Sequence, residues 1–382
     1  MAGQPWAGVA VAATERDAHT GLWALGACLG LIAPAAQANT PPERAEVQFK
    51  ALDYRERQPG ADRVDVQAAT VSLYTPVGER AALLLSQTVD AISGASPAYH
   101  TQRLTPLKDF RRAWAAAGTG YFKDGSVTAS ASTSDENDYH SKAGGLTGTW
   151  NSASRNTSLT GGVGVSTDVI RPVYGGFEDR KLVRDALLGV TQVFTPRDIV
   201  QATLSHTWGS GYFTDPYKLL DERPRTRHIS RMLLRWNHHI AGTDQTVRMS
   251  YRYSTDSWAL KSHTATLEWV NPLRNGWTLT PSVRAYSQTA ARFYLPVDPK
   301  IAPAPPFPPI DAQYFSADQR LSAFGAYTAG LRVDKAFNRD WSADLKFEQY
   351  QQRGTWAWGG GGDRGLAPFS ATWLQMGLTK RF

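Results

Sequence analysis

The stretch Thr246-Val247-Arg248-Met249-Ser250-Tyr251-Arg252-Tyr253-Ser254 alternates polar and apolar side chains with a period of two. Thr, Arg and Ser occupy one parity, and Val, Met and Tyr occupy the other. Because successive side chains of a β-strand point to opposite faces, this stretch predicts a strand with one polar and one apolar face. The same alternation recurs over residues 341–349 and 373–382.

About sixteen segments of this kind follow one another along the chain. Their expected starts are near Val47, Val64, Ala81, Arg111, Ser126, Tyr139, Thr157, Lys181, Ile199, His228, Gln245, Ser257, Trp277, Leu321, Trp341 and Ser370. The spacing fits membrane-spanning strands of about 10 residues that are joined alternately by short turns and long loops. We therefore predict an all-β fold: a transmembrane, antiparallel, up-and-down β-barrel of about 16 strands.

The connections between these segments alternate in length. Tight turns rich in Gly, Pro, Asn and Asp are expected at 76–80, 123–125, 152–156, 195–198, 242–244, 272–276 and 338–340, and long loops at 94–110, 168–180, 210–227, 290–317 and 354–369. Aromatic residues accompany the tight turns: Tyr74, Phe122, Phe194, Trp236, Trp269, Trp277, Phe337 and Trp341. Short turns at one end, long loops at the other and interfacial aromatic rings are typical of barrels in the bacterial outer membrane, which is the expected location.

Composition excludes several other classes of protein. The 382 residues carry a formal net charge of +7, but Lys and Arg are scattered rather than clustered, so nucleic acid is not an expected partner. One Cys rules out a disulfide framework. No apolar run in the chain after residue 38 is long enough for a membrane-spanning helix.

The amino terminus indicates export. The apolar stretch 21–38 ends in Ala36-Gln37-Ala38, a small-x-small pattern that signal peptidase cleaves, so we expect a signal peptide over 1–38 and an outer-membrane barrel over 39–382. Cleavage leaves 40 basic against 32 acidic residues, a formal charge of +8. An alternative interpretation takes Leu25-Gly26-Ala27-Cys28 as a lipobox with Cys28 lipidated.

The carboxy terminus resembles the targeting signal of outer-membrane barrels. In 375–382, Gly377 stands two positions after the polar Gln375, apolar positions alternate, and Phe382 is the last residue. The resemblance implies recognition by the barrel-assembly machinery and insertion among outer-membrane lipids.

Five further motifs resemble an uncharacterised outer-membrane family, domain of unknown function 3570, over about 45–382. They are Ser93-Gly94-Ala95-Ser96-Pro97, Tyr217-Lys218-Leu219-Leu220-Asp221 before Arg223-Pro224, Arg235-Trp236-Asn237-His238-His239, Ser316-Ala317-Asp318-Gln319-Arg320-Leu321-Ser322-Ala323-Phe324-Gly325, and Leu366-Ala367-Pro368-Phe369-Ser370-Ala371-Thr372. The resemblance implies an exported β-barrel and leaves its solute and activity open.

If the apolar parity faces lipid, the other parity lines the lumen. In the carboxy-terminal half this gives the basic candidates Arg231, Arg235, Arg248, Arg252, Arg284, Arg332, Lys346 and Arg381 and the acidic candidates Glu268, Asp334, Asp344 and Glu348. The excess of fixed positive charge predicts a porin-like channel, or a transport or secretion component, that passes or binds a small solute or ion with a preference for anions. The alternative is a structural or partner-binding barrel whose lumen is filled by Arg–carboxylate pairs.

Catalysis is the weaker hypothesis. Ser205, His206 and Ser210 are candidates for a hydrolase near the outer rim, but Ser205 and His206 are adjacent on a strand and should face opposite sides. His238 and His239 should likewise diverge, so we expect neither a metal site nor a cofactor. The segment 296–310 holds seven prolines and could constrict the lumen, cap the mouth or meet another protein.

Overall fold

The computed structural model describes residues 40–382, and most of them belong to long β-strands. The signal peptide expected over 1–38, including Cys28, lies outside the described residues. Sixteen strands, which we number β1 to β16, have the following bounds: Glu46–Gln58, Ala61–Val77, Ala81–Tyr99, Asp109–Phe122, Gly125–Asp135, Tyr139–Asn151, Thr157–Ile170, Asp179–Thr195, Asp198–Gly211, Thr226–His239, Thr246–Asp256, Lys261–Pro272, Trp277–Gln288, Phe324–Ala336, Trp341–Arg353 and Phe369–Arg381.

Each strand pairs antiparallel with the next, and the first pairs with the last. The β1–β16 register runs from Glu46 opposite Arg381 to Arg57 opposite Ser370, which closes the sheet into a sixteen-stranded barrel without an open edge. Across residues 40–382, no helix combines the length and apolar character needed to cross a membrane. The predicted all-β barrel of about 16 strands is confirmed.

Every expected strand start lies within four residues of the observed one. The largest difference concerns Ser257, which belongs to a turn rather than to β12. The carboxylate of Asp256 accepts hydrogen bonds from the amides of Trp258 and Leu260, and this local cap bends the chain before the strand begins at Lys261. Leu321, another expected start, ends a 3₁₀ turn, Gln319–Leu321, and β14 begins three residues later at Phe324.

The two ends of the barrel differ as the sequence predicts. Connections at the end that holds both termini contain between two and six residues, and the long loops lie at the opposite, extracellular end. Phe122, Phe194, Phe337 and most other aromatic residues beside the tight turns are exposed on the outer face. Tyr74 is an exception, because its parity points inward and its hydroxyl lies 2.9 Å from that of Tyr121.

The two faces of the sheet also differ in chemistry. Exposed apolar side chains such as Leu188, Val283 and Met376 lie on one parity, which is the lipid-facing exterior. Buried Thr128 and Thr149 lie on the other parity, which faces the interior. A low mean hydropathy of -0.38 therefore averages a lipid-facing surface with a hydrophilic lumen and polar loops.

Candidate functional site

All the basic and acidic candidates named from the sequence lie on inward-facing positions. The register connects them directly: Arg235 pairs with Ser250 of β11, Arg248 with Glu268 of β12, and Arg332 with Lys346 of β15. Together they form a charged wall over β10 to β16.

One part of this wall is an ion-pair lattice. Nitrogen–oxygen distances are 2.6 Å for Arg332 to Asp334, 3.8 Å for Arg332 to Asp344, and 3.0 Å for Lys346 to Glu348. Arg284 also reaches Glu348, at 3.9 Å. Because Arg284 and Glu348 belong to β13 and β15, which are not neighbours, this contact extends along the inner wall.

Two further ion pairs border the lattice. Arg248 lies 4.0 Å from Glu268, and Arg381 lies 3.0 Å from Glu46 of β1 near the periplasmic rim. The filled-lumen arrangement thus describes the β13–β16 side of the wall, where each base has a carboxylate.

Arg235 and Arg252 are different. Among residues 40–382, neither has a carboxylate within ion-pair distance, and both are exposed although they point inward. Arg235 donates to the Gln201 amide oxygen, at 3.3 Å. Arg231, on the same face, donates to the Thr207 hydroxyl at 3.1 Å. Exposed inward guanidinium groups show that the interior is accessible to water at this level.

The wall formed by β4 to β7 carries small side chains at mid-height. Inward positions there are Ala113, Ala115, Ala117, Ser130, Ser132, Ala143, Gly145, Thr147, Gly162 and Gly164. A basic wall therefore shares the lumen with a wall of small, neutral side chains.

Four extracellular segments fold over the mouth of the barrel, and we call residues 96–108, 212–225, 289–323 and 354–368 the cap. The ammonium group of Lys218, in the β9–β10 connection, donates to the Ser96 hydroxyl at 3.0 Å and to the Pro97 carbonyl at the end of β3. In a ring of sixteen strands, β3 stands nearly opposite β9 and β10, and such a barrel is about 30 Å wide. The cap therefore crosses the mouth.

A buried charge network lies at the centre of the cap. Asp318 accepts from Arg223 Nη2 at 2.7 Å and from Arg320 Nε at 2.6 Å. Arg223 also pairs with Asp221 at 2.8 Å, and Arg320 with Asp215 at 2.6 Å. Burial alone would raise the pKa of Asp318, but the charges of Arg320, Lys218 and Arg223 hold this pKa well below its usual range.

Backbone pairing makes the cap a folded unit. The amide of His100 donates to the carbonyl of Ala317, and that of Ala317 to the carbonyl of Leu220. Two-residue strands, Asp221–Glu222 and Phe315–Ser316, pair with each other. Three extracellular connections are thereby joined through one central segment.

An apolar core supports the same unit. Phe213, Trp258, Phe293, Tyr294 and Leu321 are buried together. The Trp258 ring lies edge-on to Phe213 and Phe293, with centroid separations of 5.7 and 5.3 Å. The cap is therefore packed like a small domain core rather than draped as separate loops.

Proline-rich residues 296–310 belong to the cap. The Pro303 carbonyl accepts a hydrogen bond from the Tyr99 hydroxyl, and Phe307 and Ile310 are 83% and 102% exposed. This contact ties residues 296–310 to the end of β3 and leaves the Phe307 and Ile310 side chains in water.

Most motifs that carry the family resemblance meet in the cap. Ser96 binds Lys218, Arg223 binds Asp318, and the amide of Ala367 donates to the Thr101 hydroxyl at 3.1 Å. Gly94 has φ +107°, and a Cβ there would collide with the Arg63 carbonyl. Charged residues in the long loops were the only sequence signal of this cap. The alternation pattern within single strands does not show that these loops come together at one mouth of the barrel.

The candidates for catalysis separate as expected. Ser205 faces the lumen, and His206 faces outward, where its Nδ1 lies 2.9 Å from the Ser230 hydroxyl. His238 lies on the outer face, 2.8 Å from Asp198, and His239 belongs to the inward parity.

One group of carboxylates within residues 40–382 has the spacing of metal ligands. Oxygens of Asp109, Glu136 and Asp138 lie within 4.8 Å of one another at the extracellular end. The group is also occupied with protein contacts, since Asp109 accepts from Asn137 at 2.9 Å and Asp138 accepts from the Tyr217 hydroxyl.

The terminal motif occupies β16 and the residue after it. Gly377 is the register partner of Asp344, and a Cβ at this position would collide with the Asp344 carboxylate. Phe382 is 64% exposed, and its amide donates to the Ala45 carbonyl at 2.9 Å.

Closure of the sheet, the lipid-facing apolar parity and the charged interior define a β-barrel of the bacterial outer membrane. The chain belongs to the family described as Protein of unknown function (DUF3570), whose model matches residues 176–373. No curated protein matches it.

Three solved structures resemble the chain over most of its length. A bacterial polysaccharide outer membrane secretin has a TM-score of 0.53 and 11% identity, over 88% of this chain and 98% of that chain. The CymD monoaromatic hydrocarbon channel has a TM-score of 0.47 and 13% identity, over 95% and 94%. The siderophore receptor PirA from Pseudomonas aeruginosa has a TM-score of 0.46 and 9% identity, over 82% and 57%. At such identities, the similarity concerns the fold alone.

Proposed function

We propose that this barrel takes small anions into its lumen and passes them across the outer membrane when the cap opens. The observation that carries the proposal is the pair Arg235 and Arg252: two inward, water-accessible guanidinium groups with no carboxylate in ion-pair distance among residues 40–382.

The electrostatic argument concerns fixed charge in a confined space. A lumen wall of low polarizability focuses the field of Arg235 and Arg252, which raises the local concentration of anions and lowers that of cations. The ion pairs of β13 to β16 cancel much of the remaining charge, so the preference originates on β10 and β11.

The geometry of the two ends supports entry from the periplasm. Turns of at most six residues join neighbouring strands there, and none is long enough to cross an opening about 30 Å wide. At the other end the cap crosses the mouth. Passage therefore requires the cap to move, and the lumen below it can bind anions while the cap is closed.

A catalytic role has less support. His206 meets Ser230 on the outer face, but among the described residues no carboxylate hydrogen-bonds to His206 to orient it as a base. We also infer that Gly377 and Phe382 belong to a signal that the barrel-assembly machinery recognises.

Single-channel recording under a KCl gradient tests the proposal. We expect reversal potentials that favour chloride for the wild type, and a shift toward neutrality in the double variant Arg235→Gln/Arg252→Gln. Arg184→Gln is the matched control, because it removes an exposed guanidinium from the outer face. A cation-selective wild type, or openings whose selectivity is unchanged in the double variant, would reject the proposed function.

A further inference from the structure

The four arginines of β10 and β11 form a regular series. In the register, Arg231 lies opposite Ser254, Leu233 opposite Arg252, Arg235 opposite Ser250, and Asn237 opposite Arg248. Going toward the periplasm, the guanidinium-bearing residues are therefore Arg231, Arg252, Arg235 and Arg248, and they alternate between the two strands. We call this set the arginine ladder.

The spacing of the ladder follows from strand geometry. Consecutive members are two residues apart along the ribbon, which is about 7 Å, and the whole ladder spans about 20 Å. It begins beneath the cap and runs along the tilted strands toward the periplasmic opening. A single small anion can contact one or two members, and only an extended ligand can contact all four.

Hydroxyl and amide groups border the ladder on both sides, and Glu268 lies 4.0 Å from Arg248 at its periplasmic end. On β9, Gln201 and Ser205 are register partners of Arg235 and Arg231. On β12, Thr264 and Thr266 lie opposite Arg252 and Ser250. These neutral groups can exchange hydrogen bonds with ligand hydroxyls, whereas each guanidinium can bind a carboxylate through two parallel hydrogen bonds.

The opposite wall leaves room for a chain. In a ring of sixteen strands, β2 and β3 stand opposite β10 and β11, and their inward mid-height residues Thr70, Ser72, Ser86 and Thr88 carry no charge. Beside them, the inward positions of β4 to β7 are Ala, Gly, Ser and Thr, with little side-chain volume. An extended ligand can therefore lie along β10 and β11 without meeting a second charged wall at mid-height.

We propose that the arginine ladder binds a linear acidic oligosaccharide, a hydroxylated chain with a repeated carboxylate, that enters from the periplasmic end. This inference rests on the proposed function, because it assigns a ligand class to the same basic wall. Several weak carboxylate contacts on one chain add by effective concentration, and multivalent gains of this type are at least roughly 100-fold.

Calorimetric titration of the full barrel in detergent tests the assignment, with galacturonate and tetragalacturonate as probes. We expect the tetramer to bind at least about 100-fold more tightly than the monomer. Arg235→Gln, Arg248→Gln and Arg252→Gln should each weaken tetramer binding about tenfold or more and affect the monomer less. Arg184→Gln should leave both affinities unchanged. A tetramer advantage of only about fourfold, which the number of carboxylates alone gives, would overturn the ladder.

A second arm tests the hydroxyl part of the assignment. Ser250→Ala/Thr266→Val should weaken tetragalacturonate binding and leave tripolyphosphate binding unchanged. If tripolyphosphate binds as tightly as tetragalacturonate and the double variant changes neither, the saccharide assignment is wrong. The small-anion proposal is tested separately by the chloride reversal potential. The oligosaccharide assignment can therefore fail while the small-anion proposal stands, and the reverse.

Discussion

Replacing Asp318 with Asn tests whether the charge network holds the cap together. Asp318 is 1% exposed and accepts from two arginines that come from different connections, Arg223 and Arg320. The change preserves the shape of the side chain and removes its charge. The cap then retains the carboxylates of Asp215 and Asp221 against Arg223, Arg320 and Lys218, so it carries an unbalanced buried positive charge.

The expected magnitude follows from the remaining partners. Removing one member of a buried ion pair costs about 3 to 5 kcal/mol. Arg223 keeps Asp221 at 2.8 Å, and Arg320 keeps Asp215 at 2.6 Å, so the lower end applies. About 3 kcal/mol corresponds to a roughly 100-fold larger population of opened cap.

Hydrogen exchange of the amides in 316–322 measures this population. We expect exchange roughly 100-fold faster in Asp318→Asn, with strand amides of the barrel unchanged and more frequent channel openings. Asp311→Asn is the matched control, because Asp311 is an exposed carboxylate of the same connection. Exchange at the wild-type rate in Asp318→Asn would refute the reasoning that this network latches the cap.

Three further predictions concern the cap and the terminus. Burial lowers the pKa of His100, whose Nε2 lies 2.7 Å from the Leu295 carbonyl, so the closed cap favours neutral imidazole. Cap stability should therefore be complete above about pH 6.5 and fall as the pH drops below it. His100→Asn, which tolerates the φ of 45°, should abolish this pH dependence in hydrogen exchange. An equally steep fall of cap stability with pH in the variant would contradict the assignment to His100. Trp258→Ala should destabilise the cap by about 3 to 5 kcal/mol through the cavity it leaves, which proteolysis within 289–323 will report; wild-type resistance would show that this packing is dispensable. Phe382→Ala should reduce the yield of heat-modifiable barrel in the outer membrane while leaving purified barrel equally stable, because the ring is 64% exposed, and an unchanged yield would remove Phe382 from the targeting signal.

The barrel could be predicted from the sequence because the alternation of polar and apolar residues in a strand is a local property. In β11, the alternation over 246–254 fixes both the strand and its faces, and the resulting inward assignments of Arg248 and Arg252 agree with the register. The alternation of polar and apolar residues within one strand does not predict the pairing register between neighbouring strands. The order Arg231, Arg252, Arg235, Arg248 depends on Leu233 pairing with Arg252, which no single segment contains.

The cap was less predictable because its contacts join distant segments. Long loops were expected at 94–110, 210–227 and 290–317, yet the pairing of Lys218 with Ser96 spans 122 positions and that of Arg223 with Asp318 spans 95. Such contacts depend on barrel closure, which brings the loops to one mouth. Composition alone also did not decide whether the proline-rich segment constricts the lumen, caps the mouth or contacts another protein.

Measuring the sign of the electrostatic potential beside Arg235 and Arg252 is the most direct test of a basic lumen that opens to the periplasm. Ser250→Cys places a thiol on the inward face between these residues, in a chain whose described residues contain no other Cys. We predict that an anionic methanethiosulfonate reagent modifies it faster than a cationic reagent of similar size, from the periplasmic side, and that Arg235→Gln/Arg252→Gln removes the difference. Faster modification by the cationic reagent, or equal rates for both in the presence of the two arginines, would contradict the account.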